Sequence, residues 1–217
     1  MYRILAAFTG LIVAGWRYRR VLLIRAMNSC LYTWGMRWIV PRIRFTWRHA
    51  KLPEWKVMRG AGHLESGDII LTTSHWQLTS MCIPGKLTHA ALCIGIYRDR
   101  IAEMVAAGYQ EVSFVDVCKA SRVVIVQPDW DDDYKAKVIE TAKSFEGTPY
   151  DAKFEFGVAS LYCSELIYQA DTERRLQADT ADLLGLGRPY VSPMGLFNAP
   201  NVTVVWDSDN ETKEETR

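Results

Sequence analysis

GTPYDAKFEFGVASLYCSELIYQA, residues 147–170, is the stretch around which the rest of the chain can be ordered. GTPYD is a turn. Leu166, Ile167 and Ala170 then recur at helical spacing, which puts Cys163 at the N-terminus of a helix. That end carries about half a positive charge and favours a thiolate over a thiol. An unperturbed thiol, with a pKa of about 8.5, is only a few per cent ionised at neutral pH. A neighbouring imidazolium, added to the helix end, lowers that pKa by several units, each worth about 1.4 kcal/mol. Taken alone, a cysteine among apolar residues is more often a small buried hydrophobe. Cys30, Cys82, Cys93 and Cys118 receive that reading.

Upstream, HLESGDIILTT (63–73) reads as a turn at Ser66–Gly67–Asp68 feeding a strand at Ile69–Leu71, with Asp68 serving the turn. In LTHAALCIGIY (87–97), residues 90–97 read as a buried strand and His89 stands at its beginning. Two short strands are expected next, Ile101–Val105 and Glu111–Val115, separated by Ala106, Ala107 and Gly108. RVVIVQP (122–128) is another, closed by Pro128. Asp131, Asp132 and Asp133 then open a helix whose stripe is Tyr134, Val138, Ala142 and Phe145, with Gly147 as its stop. A thiol nucleophile needs a base, and the base needs a third polar group to hold its tautomer. Glu103, inside the strand that follows His89, either faces solvent or meets such a partner inside.

The order of SGDIIL, THAALCIGIY, IAEMVAAG, GTPYDAKFEF and LYCSELIY, over roughly residues 64–206, resembles the YiiX-type permuted papain-like amidases, a branch of the NlpC-type peptidase superfamily. Its most specific element is YCSEL with GTPYD a short step upstream. The resemblance implies an α+β, circularly permuted papain-like fold in which an antiparallel sheet packs against the helix carrying the cysteine. The histidine and acidic strands then precede the cysteine helix, the reverse of the usual papain order. Carried over residue by residue, it implies Cys163 as nucleophile, His89 as base and Glu103 as the third polar residue. VSPMGLFNAPNVTVVW (191–206) resembles the family's closing loop and strand. Tyr150, Asp151 and Tyr162 are candidates for substrate contacts, with closure of a turn as the alternative for Tyr150 and Asp151.

Charge divides the chain. Residues 1–60 carry twelve Lys or Arg against one acid, Glu54, and the remainder is about as acidic as that segment is basic. The expected organisation is a basic helical extension over 1–60, a cysteine hydrolase domain over 61–206 and an acidic solvated tail over 207–217. The run ILAAFTGLIVAG (4–15) is too short for a straight span, which needs roughly 20 apolar residues. Its charges follow rather than precede it, unlike a signal peptide. Trp16, Trp34, Trp38, Trp47 and Trp55 lie among eleven Lys or Arg before residue 57, which suits the headgroup level of an anionic membrane. The alternatives are packing on the acidic domain and, less expected, nucleic-acid binding.

Five cysteines without a CxxC pair argue against a disulfide framework and for a reducing compartment, here the cytoplasmic face of a membrane. His49, His63, His75 and His89 form no HExxH pattern, so neither metal nor cofactor is expected. The expected reaction is hydrolysis of an amide or peptide bond through a thioester on Cys163. Transfer of an acyl group to or from a lipid by the same thioester, as in lecithin:retinol acyltransferase-like proteins, is the first alternative. Non-catalytic binding of a small amine or peptide is the second.

Overall fold

Near-continuous apolar runs, rather than strict alternation, are what a sheet covered on both faces requires of its strands. The computed structural model describes residues 51–73, 85–95, 100–151, 153–182 and 189–212. The Trp- and Arg-rich stretch 1–50, with Cys30 and His49, lies outside the described residues, as do His75, Trp76 and Cys82. In chain order the described strands are Ile69–Thr73 (β1), His89–Cys93 (β2), Ile101–Val105 (β3), Gly108–Val112 (β4), Arg122–Pro128 (β5), Thr180–Asp182 (β6), Pro189–Val191 (β7) and Val202–Asp207 (β8). The helices are Glu54–His63 (α1), Phe114–Val117 (α2), Asp132–Lys143 (α3), Cys163–Ala170 (α4) and Pro193–Phe197 (α5). One six-stranded sheet has the order β4-β3-β2-β1-β5-β8, and β6 and β7 form a separate ribbon. All pairs are antiparallel.

On one face Ile69, Leu71, Ala90, Leu92, Ala102, Met104, Val124 and Val126 meet Val138 and Ala142 of α3 and Leu166, Ile167 and Ala170 of α4. On the other, Ile70, Ala91, Cys93, Ile101, Val123 and Ile125 meet Val57 of α1, Phe114 and Val117 of α2, and Trp206. Each fully buried aliphatic side chain contributes about 1.5–3 kcal/mol. The alanines at 90 and 102 keep the first face shallow beneath α4, which brings the start of that helix close to the start of β2.

Helix α3 begins as its acids predict: Asp131 is the N-cap and accepts the Tyr134 N–H at 2.8 Å. Its helical hydrogen-bonding ends at Lys143, and the chain turns through to Gly147 at φ 81°. Asp68 serves its turn, accepting the Glu65 N–H at 2.7 Å.

Boundaries differ from the sequence expectation at these points. The β3–β4 hairpin closes on Ala106–Ala107, with Val105 opposite Gly108, so β4 starts three residues before Glu111. Gly108 is required there: its φ is 103°, and a Cβ would lie 2.8 Å from the Thr148 carbonyl oxygen. The strand cannot run to Val115 because Ser113 caps α2 by accepting the Asp116 N–H. At the charge break, α1 runs across residue 60, and Leu52 and Val57 pack on the sheet. Gly60 lies against the Trp206 ring, 3.0 Å from where a Cβ would stand. At the other end, Asp207 belongs to β8 and grips Arg122 at 2.6 and 3.0 Å, while buried Ser208 accepts the Val123 N–H. Net charge tracks solvent-facing side chains, whereas the apolar residues beneath them decide which of the described residues join the core.

Candidate active site

The first turn of α4 is fixed from outside the helix. Tyr162, its N-cap, makes no side-chain cap; instead its hydroxyl accepts the Val191 N–H at 3.0 Å. Ser164 donates to the Val191 carbonyl at 2.7 Å. One residue of β7 is thus held on both sides of Cys163. The Tyr162 ring is wedged by Phe154, with centroids 5.1 Å apart, and by Tyr190 at 6.5 Å.

Strand register supplies the partners. Ala91 opposes Glu103 across β2 and β3, so His89 lies two residues along on the same face. His89 Nε2 and Glu103 Oε2 are 2.6 Å apart. Gln110, directly opposite Glu103 on β4, donates its Nε2 to Glu103 Oε1 at 2.6 Å. His89 also lies beside Cys163, close enough for each to shift the other's ionisation. With Nε2 on Glu103, Nδ1 is the nitrogen left for the sulfur. The backbone N–H groups of Ala90 and Ser164 also favour the Cys163 thiolate. The result is a continuous line, Gln110–Glu103–His89–Cys163.

Electrostatics follow from that line. Burial raises the Cys163 thiol, but the hydrogen bond and charge of His89, with the two backbone amides, bring it below its ordinary value. Burial lowers His89, yet its bonds to Cys163 and Glu103 and their charges hold its pKa well above the ordinary imidazole range. Glu103 is raised by burial and lowered more by His89 and Gln110, so it stays ionised. The arrangement favours a thiolate–imidazolium pair braced by a carboxylate. Cys93 and Cys118 behave oppositely: burial pushes their thiols up to about 11 and about 12.

Of the expected site residues, Cys163, His89 and Glu103 are brought together. The side chains of Tyr150, Asp151 and Tyr162 are engaged within the fold. Asp151 is buried and its two oxygens accept the Lys153 and Glu155 N–H groups at 2.8 and 2.5 Å, the geometry of a turn. Tyr150 bridges Leu161 in parallel fashion and packs its ring on the core. Tyr162 is 1% exposed, its hydroxyl taken by Val191. Asp151 takes the turn-closing alternative, and both it and Tyr162 hold the backbone that leads into Cys163. Gln110 was not foreseen. Placing the hairpin turn on Ala106–Ala107 would have found it, since residue 110 then faces residue 103.

Among the described residues no group of three or more His, Cys, Asp or Glu is arranged to hold a metal ion, and no helix is long and apolar enough to cross a membrane.

The profile of the permuted papain-like amidase enzymes, the YaeF/YiiX or C92 family, matches residues 63–205. The chain belongs to this family. Permuted papain-like amidases are hydrolases, and membership supports that general class for this chain. The metalloprotein yiiX from Escherichia coli O157:H7 has a similar fold, with a TM-score of 0.52 at 17% identity over 66% of this chain and 97% of that one. No curated protein sequence matches. The YaeF/YiiX assignment also accounts for the element order, in which β2 and β3 precede the cysteine helix.

Proposed function

We propose that this chain hydrolyses an amide or peptide bond through a thioester on Cys163. The observation that carries the reading is His89, hydrogen-bonded to Glu103 and set beside Cys163 at a helix N-terminus. In it His89 holds the thiol proton as imidazolium, and the thiolate attacks the carbonyl carbon. The tetrahedral oxyanion is met by backbone N–H groups at the start of α4, an effect worth about 3–4 kcal/mol per donor. His89 then passes its proton to the leaving nitrogen as the C–N bond breaks, leaving a thioester. Water, deprotonated by His89, attacks the thioester. The acid product departs and the thiol is restored. Glu103 keeps the imidazole in one orientation throughout, and Gln110 does the same for Glu103.

Transfer of an acyl group to or from a lipid uses the same thioester and is the second reading. The five tryptophans among eleven cationic residues before residue 57 favour it by suiting an anionic membrane surface, at the cytoplasmic face. The full chain is to be incubated with peptide libraries and, separately, with liposomes of anionic and neutral phospholipids, followed by acid quench and mass spectrometry of the Cys163 peptide. An acyl adduct from peptides supports hydrolysis of amides, one from lipids supports transfer, and no adduct from either leaves a non-catalytic binder. Because Leu52 and Val57 are core residues, the membrane arm is tested by a deletion ending at residue 50. Equal flotation of the deleted and full chains with anionic liposomes would remove the membrane assignment.

A further inference from the structure

Glu165, two residues past the nucleophile, is 0% exposed. Its Oε1 accepts the Gly157 N–H at 2.8 Å and the Gln169 amide at 3.3 Å. Its Oε2 has no hydrogen-bond partner among the described residues. Gln169 reinforces the same point, donating to the Gly157 carbonyl at 3.3 Å and accepting from Arg174 at 3.0 Å. The segment so held is wound tightly between its ends. Asp151 closes its start. Phe154 follows at φ 54°, a strained backbone for a bulky residue, with its ring on Tyr162. Phe156 stacks near Tyr168, centroids 5.5 Å apart. Six residues beyond Gly157 the chain reaches Cys163, so Glu165 ties the first turn of the nucleophile's helix to the segment that leads into it.

The surroundings suit a neutral acid there better than a charged one. Burial dominates and raises the carboxyl, to about 7; the Gly157 amide, the Gln169 side chain and the Tyr162 amide oppose it, and the Asp151 carboxylate across the segment adds to the rise. The Tyr162 phenol also faces it from the helix entry. We propose that Glu165 is a positioning residue for Cys163: as a neutral acid it clips residues 153–160 to the start of α4, and its ionisation loosens the clip. The sign follows from linkage. The clipped form holds its proton up to about 7, while a released, solvated carboxyl holds it only to its ordinary 4.5. The clip is therefore at full strength below the ordinary value. It weakens by about tenfold per pH unit between the two values and is level above the higher one.

This inference rests on Cys163 as the nucleophile only for its consequence, and the test separates the two. Hydrogen exchange at the Gly157 amide reports the clip with no turnover needed; iodoacetamide alkylation of Cys163 reports the thiol. Both are measured on the full chain as wild type and as Glu165→Gln, the neutral isostere, from pH 5 to 8. The expected result is a Gly157 protection factor that falls about thirtyfold between pH 5 and 7 in the wild type and stays flat in the variant. The Cys163 alkylation profile then differs between the two proteins over the same interval. A wild-type protection factor that does not change with pH overturns the proposal, and that arm stands even if the variant fails to fold. An identical step in Glu165→Gln overturns it too, as do superimposable alkylation profiles.

Discussion

Cys163 and Cys118 are buried to the same degree, 2% and 0% exposed, yet they lie at opposite ends of helices. Cys163 opens α4 and meets an imidazole, two backbone amides and, through His89, a carboxylate. Cys118 ends α2, where carbonyl groups rather than amides point outward, and burial alone sets its thiol, at about 12. Burial therefore does not distinguish a nucleophile from a packing residue. The helix end and the polar partner do.

Removing the partner should collapse the contrast most. His89→Ala is expected to slow native alkylation of Cys163 at pH 6 by about 100-fold or more, because His89 is the main influence holding that thiol below its ordinary value. The rate should then climb about tenfold per pH unit toward the ordinary thiol range, as a Cys118-like thiol would. Stopped-time alkylation with peptide mass spectrometry checks this. A rate unchanged from wild type would show that His89 does not set the thiolate.

Removing charge while keeping shape should act less. Glu103→Gln retains a hydrogen bond to His89 but not the carboxylate that holds the imidazolium, so the His89 pKa moves down. The upper edge of the imidazolium window shifts to lower pH with it, and alkylation departs from wild type first at that edge rather than at pH 6. Titration of the His89 ring by NMR gives the shift directly.

Gln110→Ala leaves Glu103 ionised but free to rotate, and a second-sphere loss of about threefold in the same alkylation rate is expected. Cys118→Ala is the reciprocal control: it should cost about 1 kcal/mol of stability in urea unfolding, from a small cavity, with no change at Cys163.

Much of this contrast was legible beforehand. Leu166, Ile167 and Ala170 announced a helix and hence the place of Cys163 at its start, and all three are buried as their spacing requires. Asp131 announced the start of α3. What periodicity could not give is register. His89 and Glu103 are fourteen residues apart, and nothing local says they share a face until the β2–β3 pairing is known. The hairpin turn was misjudged because Ala106–Ala107 lacks the Asn-Gly signature of a two-residue loop; that hid Gln110. Tyr162 stands directly before the nucleophile in sequence and Asp151 twelve residues upstream, in the turn that leads toward it. In the fold both belong to the frame, Asp151 bonding the Lys153 and Glu155 amides and Tyr162 the Val191 amide.

The central claim is that one of the three described thiols is ionised when the other two are not. Limited treatment of the folded full-length chain with iodoacetamide near pH 6, followed by peptide mapping, tests it most directly. The account predicts carboxamidomethylation of Cys163 while Cys93 and Cys118 stay unmodified until the chain is unfolded. Labelling of Cys163 no faster than Cys93 and Cys118 would contradict it.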